Sequence, residues 1–451
     1  MKKMILSWIF YFFFAIAFYQ VFATFSVYGL ELFSSQFPAY LREGIWWIAI
    51  LIILILHFKQ LKEYFKTRKW TWISFFGLSL FSVLISYFFL EKNVSDIIIG
   101  FKYCFQRMVI FLSFTMIGFF YREKFSSQGF LHRLKIFLIF IVIFWFFWQM
   151  LKLVSPDFFS WIGYELNLDN YKPEMKPPLY YLTGYEGTLR WQGLFSGPNN
   201  YGYFLVAFLP IITLLFGEKL KNIKQFTLQQ RINVGIVVLW IGAMVLTLSR
   251  AVFVGGILVA FILHWDFFKK RKKMLIALIG VGLVALVGVS LRKRDSTREH
   301  LINKFSAISD FINQPLGYGL GTSGPSIHYN GIFLPENYYF QILLDTGTIG
   351  FLLQIFCLFQ ILWISHLLLK KFQKEKMTDD ELMNHLLVRK FQLGFFALMI
   401  IGFFLHVFED SMVNYLFFGM YGLLLGRISK TLWKVPCFNP FSRKNLDALR
   451  K

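Results

Sequence analysis

The sequence predicts an all-α, polytopic membrane protein with about twelve transmembrane helices, and two observations support this class. Of the 451 residues, 57% are hydrophobic and only 16% are charged, whereas a soluble domain carries about 25% charged residues. The apolar residues also form runs of about 20 residues, the length that crosses a bilayer as a helix. Hydrocarbon offers the backbone no hydrogen-bond partner and the alternation typical of barrel strands is weak, so these runs should be helices.

Twelve apolar runs are candidate spans, and we expect one transmembrane domain over residues 1–451. In chain order the runs are 5–27, 44–58, 71–90, 103–121, 136–154, 199–216, 232–248, 251–268, 274–291, 338–366, 391–408 and 415–433. Two connections are much longer than the others, at about 156–198 and 292–337. We expect the chemistry there, because loops held by a rigid scaffold commonly carry function.

The distribution of Lys and Arg predicts the orientation of these spans. With the N-terminus inside, most of the 47 basic residues fall in cytoplasmic segments, among them the run Lys269–Lys273. Both termini are then cytoplasmic, and the two long connections lie outside. Topology thus explains the net charge of +22, and no nucleic-acid partner is expected.

Basic residues on the outside are more informative, because the topology does not require them there. Arg190 and Trp191 lie just before the sixth span, with several tyrosines upstream. Aromatic faces beside a fixed cation suit a sugar chain that ends in phosphate. An interfacial aromatic belt with a headgroup-binding arginine is the alternative.

Arg250 lies at the tip of a predicted hairpin. The seventh span ends at Ser249, and the apolar chain resumes at Ala251 with no loop between them. A charge near membrane level is costly unless it is paired or reaches the interface. We therefore favour an anionic partner for Arg250 over a simple snorkelling arginine.

The second long connection is basic where it begins. Its positive side chains are Arg292, Lys293, Arg294, Arg298 and Lys304. They would suit a strip that faces a polyanion. Long loops also cross the membrane regardless of their charge, so both interpretations stay open.

The same connection ends with Glu336 and Asn337, at the start of the tenth span. Either residue suits a helix N-terminus, where the dipole favours a carboxylate. Glu336 is also a carboxylate placed to accept a proton at the mouth of a cavity. Within the span, Asp345 would be costly if unpaired. Gly347 and Gly350, three apart on one helical face, would permit close packing of helices.

Three segments, in order and on the same predicted side of the membrane, resemble the O-antigen ligase and Wzy-type polymerase superfamily of bacterial surface-polysaccharide enzymes. The segments are Arg190–Asn199, Thr247–Arg250, and Glu336–Asn337 followed by Gly347–Phe351. The resemblance covers about 180–355, and the first five spans match only in hydropathy. Ligases of that family usually carry His-Asn where this chain has Glu336 and Asn337, which weakens a ligase assignment.

This resemblance implies a metal-independent, integral-membrane glycosyltransferase at the outer face of a bacterial inner membrane. Its donor would be an undecaprenyl-diphosphate-linked glycan, whose diphosphate Arg190 and Arg250 would hold. A polymerase would transfer the glycan to another lipid-linked repeat unit, and a ligase would transfer it to the lipid A core. The expected partners are therefore the donor, the acceptor and membrane lipids.

Each candidate residue then has an expected role. Glu336 should accept the proton of the attacking hydroxyl, with Glu186 in reserve. The residues expected to bind substrate are Trp191, Asn199, Asn337, Tyr338, Arg292, Arg294, Arg298 and Glu186. No cofactor is expected, and no metal, because two arginines can stabilise a leaving diphosphate and Glu409–Asp410 has no obvious third ligand.

A transporter or flippase of lipid-linked sugars is the alternative from another class. A transporter would place charges near the middle of the membrane and interrupt its helices in both halves. Most spans here are uncharged, with Arg107, Lys152 and Asp345 as exceptions. The unusual residues instead gather on one predicted face, which favours an enzyme.

Overall fold

A computed structural model describes most of the chain. The described ranges are 2–34, 37–124, 126–165, 176–183, 188–216, 227–265, 294–328, 331–372 and 378–428. The predicted ninth span, 274–291, and the side chains of Arg292 and Glu186 lie outside these ranges.

Helices make up most of the described chain, and its strands form one small sheet. Its helices in the first half are α1 (Lys2–Thr24), α2 (Phe37–Leu56), α3 (Phe58–Leu84), α4 (Val94–Phe120), α5 (Ser127–Val154), α6 (Pro156–Ile162) and α7 (Pro198–Ile212). Those in the second half are α8 (Leu228–Leu246), α9 (Arg250–Leu263), α10 (Arg294–Asn313), α11 (Tyr338–Phe372), α12 (Asp379–Ile401), α13 (Ser411–Val413) and α14 (Gly419–Ile428). Strands β1 (Tyr181–Thr183) and β2 (Thr188–Arg190) pair antiparallel.

Several helices are long and apolar enough to cross a membrane. Among the described residues there are five, or six if α2 and the start of α3, bent by 94°, form one span. Helices α8 and α9 are apolar but shorter. These findings confirm an all-α, polytopic membrane protein. The count of twelve spans and their orientation stay predictions.

Helix α4 lies at the centre of the bundle and packs closely against α14. A Cβ atom added at Gly426 would lie 2.0 Å from the Thr115 carbonyl oxygen, and one added at Gly118 would lie 2.2 Å from that of Leu423. Only glycine permits this separation of the two backbones, as is usual where membrane helices pack closely. The fourth predicted span is thereby joined to the last.

The expectation for Gly347 and Gly350 is wrong in one respect. Gly347 has φ 65° and ψ −173° and interrupts α11, so the two glycines do not share one continuous helical face. A Cβ at Gly347 would lie 2.3 Å from the Leu316 carbonyl oxygen. Gly347 therefore admits the incoming second connection, because glycine alone adopts this φ without strain.

Asp345 holds the same connection in place. Its Oδ1 accepts hydrogen bonds from the Ser323 amide at 2.8 Å, the Ser323 hydroxyl at 2.9 Å and the Thr322 amide at 3.2 Å. The Cys104 thiol lies 3.5 Å from Oδ2. The buried carboxylate is thus matched by several donors, which is what a low-dielectric position requires.

Candidate functional site

Strand β2 places Arg190 against the turn between α8 and α9. Its Nε donates to the Thr247 carbonyl oxygen at 2.9 Å, and its Nη2 donates to Asn199 Oδ1 at 2.9 Å. The amide of Trp191 also donates to the Leu246 carbonyl oxygen at 2.9 Å. These bonds fix the guanidinium at the hairpin tip, and burial lowers the pKa of Arg190, with nearby tyrosines opposing that shift.

The hairpin predicted around Arg250 is present in the structure. Helix α8 ends at Leu246 and α9 begins at Arg250. The turn between them is tight enough to hold Leu248 at φ 49°. Arg250 is the first residue of α9, where the helix dipole is already positive. The arginine charge and the positive end of the helix together favour an anion at this point.

Glu336 does not cap α11, because Asn337 does. Asn337 Oδ1 accepts from the amides of Tyr339 at 2.9 Å and Phe340 at 3.2 Å. Its Nδ2 donates to the Phe403 carbonyl oxygen at 2.8 Å. Glu336 itself is half-buried and has φ 46°. A non-glycine residue in the left-handed region is uncommon, and such strain clusters at functional sites.

The two arginines and Glu336 share electrostatic neighbours at the same end of the bundle. Lys304 on α10 interacts with both Glu336 and Arg250. Tyr203 on α7 interacts with both Arg190 and Glu336. Burial lowers the pKa of Lys304, the Glu336 carboxylate raises it, and Arg250 lowers it further. The three segments that the sequence singled out therefore surround one region.

A histidine beside Glu409 in the same region was missed at the sequence level. His406 Nδ1 lies 3.0 Å from Gln341 Oε1 and 3.4 Å from Glu409 Oε1. Burial lowers the pKa of His406, but the carboxylates of Glu409, Glu336 and Asp345 together raise it above its usual value. Burial raises the pKa of Glu409, with His406 opposing it. His406 was missed because it lies within the apolar run predicted as the span 391–408.

Asp410 follows Glu409 and caps α13. Its Oδ1 accepts from the Val413 amide at 2.8 Å, and burial raises its pKa. Within the described ranges no three His, Cys, Asp or Glu side chains stand together as a metal site would require. The absence of a metal from the reaction stays a prediction.

The remaining predicted binding residues have different surroundings. Trp191 is buried against Phe146, with ring centroids 5.8 Å apart. Tyr338 is buried, and its hydroxyl accepts from Gln354 Nε2 at 3.1 Å. Arg298 is exposed on α10, and Arg294 begins that helix. Neither buried ring is presented to solvent, and substrate contact by these residues stays a prediction.

The charges inside the spans have local protein contacts. The Arg107 guanidinium lies over the rings of Tyr338 at 4.5 Å and Phe408 at 5.1 Å. It also interacts electrostatically with Glu409. Lys152 lies 5.0 Å from the centre of the Tyr164 ring. Together with the bonds of Asp345, these contacts give each of the three exceptional charges neighbours within the protein.

Comparison with known proteins gives one similarity of note. No family model matches the chain. The chain is 27% identical to an O-antigen polymerase of Salmonella muenchen over a 241-residue alignment, and the match covers 48% of this chain and 56% of the relative. The chain thus spans about half the length of the curated relative that it matches. This similarity supports a distant relationship to the O-antigen polymerases.

Proposed function

We propose that the chain is a glycosyltransferase that polymerises undecaprenyl-diphosphate-linked repeat units of a bacterial surface polysaccharide. The observation that carries this proposal is the convergence of Arg190, Arg250 and Glu336. They come from β2, the start of α9 and the segment before α11, and they share electrostatic neighbours at one end of the bundle. The similarity to an O-antigen polymerase supports the same reaction class.

The reaction displaces diphosphate at a sugar anomeric carbon. The bond between that carbon and the diphosphate oxygen breaks, and the undecaprenyl diphosphate keeps the electron pair. The acceptor hydroxyl oxygen bonds to the same carbon and loses its proton to the Glu336 carboxylate. A positioned base of this kind typically contributes roughly 10²–10⁴-fold.

The cations stabilise the charge that the leaving diphosphate gains. Arg190 is preorganised, because the hairpin carbonyl of Thr247 and the side chain of Asn199 hold its Nε and Nη2. Arg250 adds its charge at the positive end of α9. A preorganised donor aimed at developing charge is worth on the order of 3 kcal/mol. In this scheme metal ions have no part.

Two alternatives differ in the acceptor or in the chemistry. A ligase would transfer the finished glycan to the lipid A core, and a flippase would move the lipid-linked sugar without a reaction. The named activity of the relative favours the polymerase. The local contacts of Arg107 and Lys152 give no support to a charged transport path.

The test is the glycan ladder of a deletion strain complemented with variants. Arg190→Ala and Arg250→Ala should each leave single-repeat glycans while protein level and membrane insertion stay normal. The matched control is Arg231→Ala, which removes an exposed arginine from the opposite end of α8. A normal ladder in both site variants would refute the diphosphate clamp. Full-length glycan that stays on the carrier after deletion would identify a ligase instead.

A further inference from the structure

A cavity lies toward the end of the bundle opposite Arg190, Arg250 and Glu336. It has a volume of about 670 Å³ and opens between the last turn of α9, the second half of α11 and the middle of α12. Its size falls within the range of roughly 300–1,000 Å³ that is usual for ligand pockets. The distribution of Lys and Arg predicts that this end faces the cytoplasm.

One wall of the cavity is apolar and open to its surroundings. Phe359 and Trp363 of α11 line it together with Leu393 and Phe396 of α12. The rings of Phe359, Trp363 and Phe396 are 54%, 39% and 39% exposed. In a membrane protein such rings lie against acyl chains, and tryptophan favours the level of the headgroups.

The other wall is basic. Arg389, Lys390 and His366 line the same cavity, and none of its described lining residues is Asp or Glu. Lys390 is fixed there, because its Nζ donates to Thr213 Oγ1 at 3.0 Å beyond the end of α7. Two neighbouring cations without a lining carboxylate attract a phosphate, and the apolar wall beside them accepts a hydrocarbon chain.

We propose that this cavity binds an anionic phospholipid of the surrounding leaflet. The phosphate lies between Arg389 and Lys390, and an acyl chain lies along Phe359 and Leu393. The bound lipid joins α11 to α12 and, through Lys390, to the end of α7. This site is independent of glycosyl transfer, so it stands even if the proposed function fails.

The test is native mass spectrometry of the full chain in detergent, with phosphatidylglycerol or phosphatidylcholine of the same acyl chains added. The first phosphatidylglycerol should bind at least about tenfold more tightly than phosphatidylcholine. Arg389→Gln with Lys390→Gln should weaken that binding about thirtyfold. The matched control is Lys59→Gln with Lys62→Gln, which removes two exposed charges from α3 outside the cavity and should change nothing.

A second variant fills the cavity without changing its charge. Leu393→Trp should abolish the tightly bound phosphatidylglycerol while both cations remain. Size-exclusion profile and helical content confirm that each variant is folded. Equal binding of the two lipids, or undiminished phosphatidylglycerol binding in both the charge and the filling variants, would overturn the proposal.

Discussion

Glu336 offers the sharpest test, because replacing it with glycine should relieve backbone strain in the protein and at the same time abolish its proposed role in catalysis. Its φ of 46° costs a residue with a Cβ roughly 1–2 kcal/mol, and glycine avoids this cost. Glycine loses roughly 0.5–1 kcal/mol more backbone entropy on folding. Glu336→Gly should therefore be more stable than Glu336→Ala by up to about 1.5 kcal/mol, since both lack the carboxylate.

Turnover should depend on the Glu336 carboxylate and not on the backbone conformation at this position. Glu336→Gly, Glu336→Ala and Glu336→Gln should all lose roughly 10²–10⁴-fold in turnover, because none can accept the acceptor proton. The assays are thermal unfolding in detergent and chain growth from lipid-linked repeat units. A glycine variant that is stable and still makes a normal ladder would show that Glu336 only shapes the turn.

Other residues give further predictions. Arg250→Lys keeps the charge but loses the planar fork that matches phosphate; turnover should fall by about tenfold or more in the same chain-growth assay, and unchanged turnover would contradict a specific phosphate contact. His406 has a raised pKa, so its stabilising contribution is complete below about pH 6.5 and is lost as the pH rises through the higher folded value; the Tm advantage of wild type over His406→Gln should shrink over that range, and a constant difference would refute it. Asp345→Ala leaves the Thr322 and Ser323 donors unmatched, at about 1–3 kcal/mol for each unsatisfied group; limited proteolysis should cut the second connection faster, and an unchanged rate would contradict its anchoring role.

The spans and the hairpin were predictable because hydropathy and turn length are local properties. The predicted run 71–90 corresponds to Trp72–Phe89, and 136–154 lies within Ser127–Val154. The tight turn before Arg250 followed from two apolar runs with nothing between them. The proximity of Arg250 to Glu336 was expected only from the family resemblance, since 85 residues of chain lie between them.

Helix boundaries were less accurate where a helix leaves the membrane. Helix α12 begins at Asp379, well before the apolar run at 391, because Thr378 and Glu381 form a capping box. That signal was present in the sequence and was missed. The same helix ends at Ile401, so His406 lies in a connection and not in a span. Apolar residues around His406 extended the predicted run past the true end.

The sequence alone could not decide whether Glu336 or Asn337 caps the helix. Both side chains can accept from free amides at a helix start, and spacing does not distinguish them. Only the three-dimensional structure shows that Asn337 Oδ1 accepts hydrogen bonds from two backbone amides, while Glu336 takes the left-handed conformation. Likewise, a glycine in an apolar run such as Gly347 is compatible with helix packing or with a break. The packing of Leu316 against it decides the matter.

The most direct test of the central claim is the affinity of the purified protein for undecaprenyl diphosphate, measured by microscale thermophoresis for wild type and three variants. Arg190→Ala and Arg250→Ala should each raise Kd about tenfold or more, because each removes a charge-assisted phosphate contact. Glu336→Gln should bind as wild type does, since its proposed role is to accept a proton and not to hold phosphate. Undiminished binding in both arginine variants would contradict the account.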